Sequence, residues 1–307
     1  MRLIQQPYEK IAAFFNRLPG RIRGRVNRKR ETFFHAITPI WLACKASGFA
    51  QRIAQKKPHG LSAPLVISLT SYPARFDKLP LTIKCLLTQS MAADHVILWV
   101  AHGDKSALTQ DILDLQSKGL EIAYCEDIRS FKKIVPTLKR YPESFVVTAD
   151  DDLYYWATWL EELVRAYTGN LDEAICHRAH RIRLSKKGLP MPYREWERET
   201  QSLEPSPLIF PTSGAGVLYP PGIFHGDAVK KELFMRLCPQ ADDIWLYWMI
   251  RINSRMARKI GTRRKVRWWQ DTQQVALYHY NEMGGGNDRQ INAMVREYGS
   301  PFYFGHN

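Results

Sequence analysis

The sequence lacks the motifs that identify several common protein classes. It has 307 residues, with neither a Cys-x-x-Cys pair nor a Cys/His cluster, and its five cysteines are odd in number and widely spaced. We therefore expect neither a zinc site nor a disulfide framework. No apolar run approaches the ~20 residues that span a bilayer. Gly-x-Gly-x-x-Gly and Gly-x-x-x-x-Gly-Lys-Ser/Thr are also missing, which argues against dinucleotide-binding and P-loop folds.

Acidic residues are scarce at the start of the chain. Residues 1–60 hold 13 Lys or Arg and 2 Asp or Glu, a net charge of +11 out of +14 for the chain. Residues 61–307 hold the other 31 basic and 28 acidic residues, a net charge of +3. The first segment also carries aromatic residues, namely Phe14, Phe15, Phe33, Phe34, Trp41 and Phe49.

This distribution predicts two parts. We expect a basic amphipathic N-terminal arm over residues 1–60, able to bind an anionic membrane surface, and a catalytic domain over residues 61–307. A solvated tail, or a helical pair packed on the domain, is the alternative for the arm. The apolar residues 11–15 are too few for a signal-peptide core. We expect a cytoplasmic protein, attached peripherally to the inner face of the membrane if the arm binds lipid.

Strand-like and helix-like segments alternate from residue 61 onward. This alternation predicts an α/β fold with a doubly wound, mostly parallel sheet and flanking helices. Residues 181–211 break the pattern and read as an irregular insertion. The predicted strands are 64–70, 95–101, 120–125, 145–148, 174–177, 217–221, 266–269 and 274–280. The predicted helices are 79–90, 108–117, 131–139, 156–167, 227–237 and 243–256.

Three consecutive carboxylates, Asp150 to Asp152, follow the predicted strand 145–148 directly. Open α/β sheets bind ligands at the carboxyl ends of their strands. Adjacent carboxylates repel one another unless a cation or several hydrogen-bond donors hold them. Oxygen ligands suit Mn²⁺ or Mg²⁺, ions that usually bridge carboxylates to phosphates. The triplet therefore predicts a metal-bound diphosphate; the alternative is an Asp-rich cap on a helix starting near Tyr154.

The loop after the first predicted strand has side chains that could hold a nucleotide. Tyr72 could stack on a base, and hydroxyls with Arg75 could bond ribose or phosphate. An ordinary turn with Pro73 starting a helix is the alternative. The candidate donor-binding residues here are Ser68, Thr70, Ser71, Tyr72 and Arg75.

Positive charge and small residues complete the predicted donor site. Lys133 precedes the acidic strand and could balance a diphosphate, although a solvated lysine face is an equal alternative. Gly214 and Gly216 would let a sugar approach the backbone closely, and a plain β-bulge is the alternative. His279 lies next to a glycine-rich loop and is a candidate third metal ligand.

A second acidic pair, Asp242 and Asp243, comes at the start of a predicted helix. One aspartate suffices as an N-cap, so the other could face a cleft. A general base for a sugar hydroxyl must be a carboxylate or histidine within hydrogen-bond reach. We therefore hold both residues as candidates for that base, with capping alone as the alternative.

The ordered set of these pieces resembles bacterial nucleotide-sugar-dependent glycosyltransferases of the GT-A type, over about residues 64–250. The resemblance implies a D-x-D motif in which Asp150 and Asp152 bind Mn²⁺ or Mg²⁺, with Asp150 and Asp151 also contacting the donor. If the enzyme inverts, the resemblance implies that Asp243 is the acceptor base; the shared metal motif leaves inversion and retention both open. Residues 1–60 match no part of this family. The matching pieces are Ser68–Pro73, Lys133–Pro136, Thr148–Asp152, Gly216–Pro221 and Ala241–Trp245.

The function expected from this resemblance is metal-dependent transfer of a sugar. The hexosyltransferase-like enzyme would use a nucleotide-sugar donor and act on a hydroxyl of a cell-surface glycan, such as a polysaccharide or lipopolysaccharide, or its lipid-linked precursor. A nucleotidyltransferase that makes a nucleotide sugar is the first alternative, although its usual glycine-rich first loop is missing. The second is a nucleic-acid-binding protein, suggested by the basic residues 21–30. Because no stacking platform or reading helix accompanies that run, nucleic acid is not an expected partner.

Overall fold

The computed structural model describes Thr38 and residues 56–262, 264–270, 272, 281 and 284–302. The predicted strand 274–280, the candidate ligand His279 and nearly all of the predicted arm lie outside the described residues.

A seven-stranded sheet forms the centre of the domain, in the order β3-β2-β1-β4-β8-β5-β9. Neighbouring strands run parallel except at β8, which is antiparallel to both β4 and β5. Strands β6 and β7 form a separate antiparallel pair. The strands are β1 (Leu65–Thr70), β2 (His95–Ala101), β3 (Glu121–Cys125), β4 (Phe145–Ala149), β5 (Glu173–Cys176), β6 (Ala179–Arg181), β7 (Ile209–Pro211), β8 (Val217–Tyr219) and β9 (Met256–Lys259).

Helices connect and flank these strands, which confirms the predicted α/β class with a mostly parallel sheet. Within the described residues, none of the helices is both long enough and apolar enough to cross a bilayer. Short 3-10 helices cover Pro73–Arg75, Arg129–Lys133 and Ser213–Ala215. The α-helices are α1 (Leu79–Leu87), α2 (Gln110–Leu113), α3 (Val135–Arg140), α4 (Trp159–Ala166), α5 (Lys231–Leu237), α6 (Asp242–Ile252) and α7 (Gly286–Tyr298).

Strands β1 and β4 are buried on both faces, as expected from their continuous apolar sequences. They pair in parallel with Leu65 opposite Phe145 and Leu69 opposite Ala149. Both strands therefore end at the same level of the sheet. The loop that begins at Ser71 and the acids that begin at Asp150 consequently emerge side by side.

Helix α6 lies in the core of the C-terminal half. Its residues Trp245, Tyr247 and Trp248 are each at most 2% exposed. A helix that is apolar nearly all round must be covered on every side. Helices α5 and α7 and strands β7 and β9 pack against it. This packing fixes the position of the first turn of α6, which carries the second acidic pair.

The predicted elements differ from the structure mainly at their ends and in the C-terminal part. The predicted helix 243–256 ends earlier, because α6 stops at Ile252 and Met256–Lys259 forms the edge strand β9. The predicted strand 266–269 contains only an isolated bridge between Trp268 and Leu153. Helix α7 was not predicted. The predicted irregular insertion 181–211 includes the end of β6 and all of β7.

The chain contacts the α/β domain before residue 61. The backbone N–H of Lys57 donates to the carbonyl of Ser90 at 3.1 Å. The Lys57 Nζ lies 2.7 Å from a carboxylate oxygen of Glu161. The predicted division between residues 60 and 61 stays a prediction, because the structure describes little of the chain before residue 56.

Candidate active site

A cavity of about 620 Å³ opens at the carboxyl ends of β1 and β4. The Ser213–Ala215 turn and the first residues of α6 also line it. Eleven of the predicted site residues line it: Thr70, Ser71, Tyr72, Arg75, Lys133, Asp150, Asp151, Asp152, Gly214, Asp242 and Asp243.

The first-strand loop contributes hydroxyl groups and a cation to this cavity. Pro73 begins a short 3-10 helix, as the turn interpretation predicted, and the turn brings Arg75 back to the acids. The Arg75 Nη1 lies 2.8 Å from Asp151 Oδ1 and 2.7 Å from Asp152 Oδ2. Burial would lower the pKa of Arg75, but these two carboxylates raise it above its ordinary value. The ring of Tyr72 is 37% exposed and lies under the guanidinium.

Two of the predicted loop residues are turned toward neighbouring structure. Ser68 is fully buried within β1, where its hydroxyl lies 2.7 Å from the Thr137 hydroxyl of α3, and it does not line the cavity. Ser68 lies inside β1, two residues before its end at Thr70, where β2, β4 and α3 surround it. Thr70 lines the cavity, but its hydroxyl donates to the carbonyl of Trp99 at 2.8 Å.

The acidic triplet divides into one residue that faces the cavity and two that are buried. The Asp150 side chain is 37% exposed, whereas those of Asp151 and Asp152 are 9% and 8% exposed. The Ser71 hydroxyl donates to Asp151 at 2.5 Å. Burial and the charges of its neighbours Asp150 and Asp151 raise the pKa of Asp152 to about 7, in spite of Arg75. The triplet does not cap a helix, because α4 begins only at Trp159 with Thr158 before it.

Sequence reasoning missed Tyr155, which joins the triplet to the glycine turn. Its hydroxyl accepts from the backbone N–H of Asp150 at 2.7 Å and donates to the carbonyl of Gly214 at 2.6 Å. The residue is 3% exposed, and burial raises the pKa of its phenol well above the ordinary value. The aromatic run that follows the triplet was the available signal.

Lys133 lies between the two acidic motifs. Its Nζ is 2.8 Å from Asp150 Oδ1 and 2.9 Å from Asp242 Oδ2. The residue is 5% exposed, so it does not belong to a solvated lysine face. Burial alone would lower the pKa of this amine, but Asp150 and Asp242 raise it well above its ordinary value. Lys133 therefore stays charged and holds the two motifs together.

The second acidic pair occupies the first turn of α6, yet neither carboxylate caps the helix. Ala241 is the N-cap residue, and no side-chain hydrogen bond caps the helix there. Both carboxylates accept hydrogen bonds from Ser213. Asp242 accepts from the Ser213 hydroxyl at 3.2 Å, and Asp243 accepts from the Ser213 backbone N–H at 2.9 Å. The capping alternative therefore does not explain either residue.

The environments of these two carboxylates separate their pKa values. Burial would raise the pKa of Asp242, but the charge and hydrogen bond of Lys133 lower it below its ordinary value. Burial and the negative charge of Asp242 raise the pKa of Asp243 to about 6. One acid of the pair is thus held ionised, while the other can exchange a proton near neutral pH.

The two candidate glycines have different surroundings. A Cβ atom on Gly214 would lie 2.0 Å from Asp150 Oδ2, so this position must be small for Asp150 to keep its place. Gly216 has φ +106° and packs against the Trp159 indole, whose Nε1 would be 2.4 Å from an added Cβ. Gly216 does not line the cavity. The structure therefore places Gly214 at the site and gives Gly216 a packing role behind it.

The donor atoms around the cavity fit a divalent cation. Five carboxylates, Asp150 to Asp152 with Asp242 and Asp243, line the cavity together with two cationic side chains, Arg75 and Lys133. These carboxylates outnumber the two cationic side chains, and a divalent cation would balance the excess negative charge. The part of the chain that the structure describes contains no cluster of three His, Cys, Asp or Glu ligands. Mg²⁺-like ions need only one or two carboxylates when phosphates complete the coordination.

One part of the cavity lining was not predicted from the sequence. It includes Arg178, His180 and Tyr193. The Arg178 Nε lies 3.1 Å from Glu199, and the His180 ring accepts from the backbone N–H of Glu199 at 3.0 Å. Burial and the neighbouring positive charge of Arg178 lower the pKa of His180 to about 3, so this imidazole is neutral.

Comparison of the chain with models of protein families gives no match, and comparison with curated protein sequences gives none either. Among solved structures, the chain is similar to the mannosyltransferase PcManGT from Pyrobaculum calidifontis, solved in complex with GDP-Man and Mn2+. The superposition covers 76% of this chain and 65% of that one, with a TM-score of 0.40 and 14% sequence identity. The matched part is thus slightly less than two thirds of the mannosyltransferase. Similarity of this size does not identify a function.

Proposed function

We propose that the protein is a metal-dependent glycosyltransferase of the GT-A type that transfers a sugar from a nucleoside-diphosphate donor to a hydroxyl group. One observation carries this proposal. The Lys133 Nζ contacts Asp150, at the end of β4, at 2.8 Å and Asp242, at the start of α6, at 2.9 Å. Both acidic motifs line the same cavity. A donor-binding motif and a candidate base thereby face the same space.

The nucleotide would lie over the loop after β1. Tyr72 offers an exposed aromatic face, and the Arg75 guanidinium can bond phosphate oxygens in a planar, charge-assisted contact. Lys133 supplies a second positive charge on the other side of Asp150. These groups neutralise the charge that develops on the departing diphosphate, which is the main electrostatic demand of the reaction.

Asp150 and Asp152 would hold the metal ion, either Mn²⁺ or Mg²⁺. Such an ion acts as a Lewis acid toward the phosphate oxygens of a leaving group. Tyr155 fixes the backbone of Asp150, and Gly214 leaves room for its carboxylate. Arg75 also holds Asp152, so Arg75 and the ion would share this carboxylate if Asp152 bound the ion.

Asp243 is the proposed base that takes the proton of the acceptor hydroxyl if the reaction is a single displacement that inverts the anomeric carbon. Its carboxylate is oriented by the backbone N–H of Ser213. A pKa of about 6 leaves it mostly ionised at neutral pH, yet basic enough to accept a proton. Asp242, bound to Lys133, is a positioning residue for this pair.

The acceptor that we propose is a cell-surface glycan, of the polysaccharide or lipopolysaccharide class, or its lipid-linked precursor. The basic arm over residues 1–60 would bring the enzyme to an anionic membrane surface at the cytoplasmic face. The support for this part is the net charge of +11 together with the aromatic residues of the arm.

The test is to incubate the purified protein with a panel of nucleotide sugars and Mn²⁺ and to identify the nucleotide product. Release of a nucleoside diphosphate supports a glycosyltransferase, whereas release of pyrophosphate from a nucleoside triphosphate and a sugar phosphate indicates a nucleotidyltransferase. Asp150→Ala and Asp152→Ala are expected to abolish the release without unfolding the protein. Normal turnover of Asp152→Ala in the presence of a chelator would contradict the metal role.

A further inference from the structure

The segment 174–194 contains no acidic residue. It holds six basic residues: Arg178, Arg181, Arg183, Lys186, Lys187 and Arg194. Outside this segment, residues 61–307 hold 25 basic residues, since six of the 31 lie within it, against 28 acidic ones. The segment is one of two strongly basic stretches of the domain, the other being residues 251–267 with eight basic residues and no acidic one.

The middle of this stretch is a hairpin over residues 183–191. The backbone N–H of Met191 donates to the Arg183 carbonyl at 2.8 Å, and that of Ser185 donates to the Leu189 carbonyl at 2.8 Å. Gly188 supplies the positive φ of +72° that the tight turn requires. The hairpin therefore has a fixed register and a defined tip.

The tip presents apolar and basic side chains together. Leu184 is 36% exposed and Leu189 is 43% exposed, and they flank Lys186 and Lys187, which are also exposed. Leucines at an exposed turn have no role in the core of this domain. The combination of apolar side chains with adjacent positive charges is typical of segments that enter the interface of an anionic bilayer.

The base of the hairpin is anchored beside the cavity. The backbone N–H of Tyr193 donates to the carboxylate of Asp288 at 2.7 Å, and its ring packs against Trp196 with centroids 4.7 Å apart. Tyr193 itself lines the cavity, as does Arg178 at the other end of the segment. A surface that binds the tip is therefore connected through a few residues to the lining of the cavity.

We propose that the hairpin 183–191 is a docking element for an anionic lipid surface. Leu184 and Leu189 enter the interface, while Arg183, Lys186 and Lys187 contact the headgroups. A soluble polyanion would satisfy the charges but offers no apolar phase for the leucines, so the exposed leucines favour lipid. Docking would also present the cavity to a lipid-linked acceptor, and this consequence rests on the proposed function. The docking itself does not depend on the proposed function.

Amide hydrogen exchange of the full chain locates this contact directly. We expect exchange of residues 183–190 to slow when vesicles of phosphatidylcholine with phosphatidylglycerol are added, and to be unchanged by phosphatidylcholine vesicles alone. Unchanged exchange of this hairpin with the anionic vesicles would overturn the proposal. Equal slowing by soluble polyphosphate would also overturn it, and would indicate a polyanion site instead.

Vesicle sedimentation of full-length variants measures the strength of the contact. Each basic residue near an anionic surface strengthens binding about fivefold, so K186Q/K187Q is expected to weaken partitioning about 25-fold. The matched control K118Q/K139Q removes the same charge from exposed lysines outside the hairpin and is expected to change partitioning little. The arm is present in every variant, so its contribution cancels. If K118Q/K139Q weakened partitioning as much as K186Q/K187Q, net charge alone would determine vesicle binding, and docking by the hairpin would be contradicted.

The leucines separate lipid insertion from simple attraction between charges. Leu184→Ser with Leu189→Ser is expected to weaken partitioning at least about tenfold at unchanged charge. Leu171→Ser is the control, because Leu171 is 45% exposed but lies outside the hairpin. No loss in the double variant would refute insertion. None of these readouts requires sugar transfer, so docking can fail or succeed independently of the proposed activity.

Discussion

Replacement of Gly214 by alanine tests the geometry of the site with a single methyl group. The added Cβ would lie 2.0 Å from Asp150 Oδ2, and real Cβ contacts essentially never fall below 3.0 Å. The carboxylate must therefore move by at least about 1 Å. A misplacement of about 1 Å in a reacting assembly can cost about 10²-fold in rate. We expect Gly214→Ala to lower turnover by about that factor.

The stability of Gly214→Ala should change little. Gly214 is not among the residues with positive φ, so alanine fits its backbone. Asp150 is 37% exposed and can turn into the cavity, and Lys133 keeps its contact with Asp242 at 2.9 Å. Loss of a partly exposed ion pair typically costs at most about 1 kcal/mol.

Gly216→Ala is the matched control with the opposite expectation. An alanine at φ +106° is strained by about 1–3 kcal/mol, and its Cβ would also overpack against the buried Trp159 at a cost of about 1–3 kcal/mol. The free energy of unfolding should fall by about 2–6 kcal/mol, which thermal denaturation would detect as a Tm lower by about 4 °C or more.

The assay compares thermal denaturation with donor turnover for both variants. Gly214→Ala is expected to keep its Tm and lose turnover, whereas Gly216→Ala is expected to lose Tm. Full turnover in Gly214→Ala, or a Tm loss as large as that of Gly216→Ala, would refute the assignment of Asp150 to the site.

Three further predictions concern the second acidic pair, Lys133 and the basic arm. Asp243→Asn should cut kcat by about 10²–10⁴-fold at unchanged donor Kd, and kcat/KM of the wild type should fall tenfold per pH unit below about 6, where the Asp243 carboxylate is protonated. If Asp242→Asn were inactive instead, the base would be Asp242. Lys133→Met leaves buried Asp242 without its cation and should destabilise the fold by about 3–5 kcal/mol in denaturant unfolding. Deleting residues 1–55 should reduce sedimentation with anionic vesicles while sparing transfer to a soluble acceptor.

The fold could be predicted where the sequence is locally consistent. The buried strands β1, β2 and β4 are continuous apolar runs, and such runs have few other placements. Strand β9 was missed because Met256–Lys259 contains two basic residues, and its pairing with β5 depends on contacts distant in sequence. Helix α7 was missed because its sequence is mostly polar and only one face packs on α6.

The site could be predicted where chemistry is concentrated in short motifs. The acids at Asp150 and Asp243 were found because clustered carboxylates at element ends are unusual. The sequence could not show that Lys133 joins them, since its two partners lie 17 and 109 residues further along the chain. Tyr155 and Arg178 were missed for the same reason, because their roles arise only when the chain is folded.

Binding of a nucleoside diphosphate with Mn²⁺ tests the central claim most directly. At a ligand concentration of about 100 times Kd, binding stabilises the native state by about 2.7 kcal/mol, which should raise the Tm by about 5–10 °C. We expect this shift for at least one member of a panel of nucleoside diphosphates, and we expect chelation of the metal or Asp152→Ala to remove it. The absence of any shift across the panel, or an undiminished shift in Asp152→Ala with chelator, would contradict a metal-assisted donor site in this cavity.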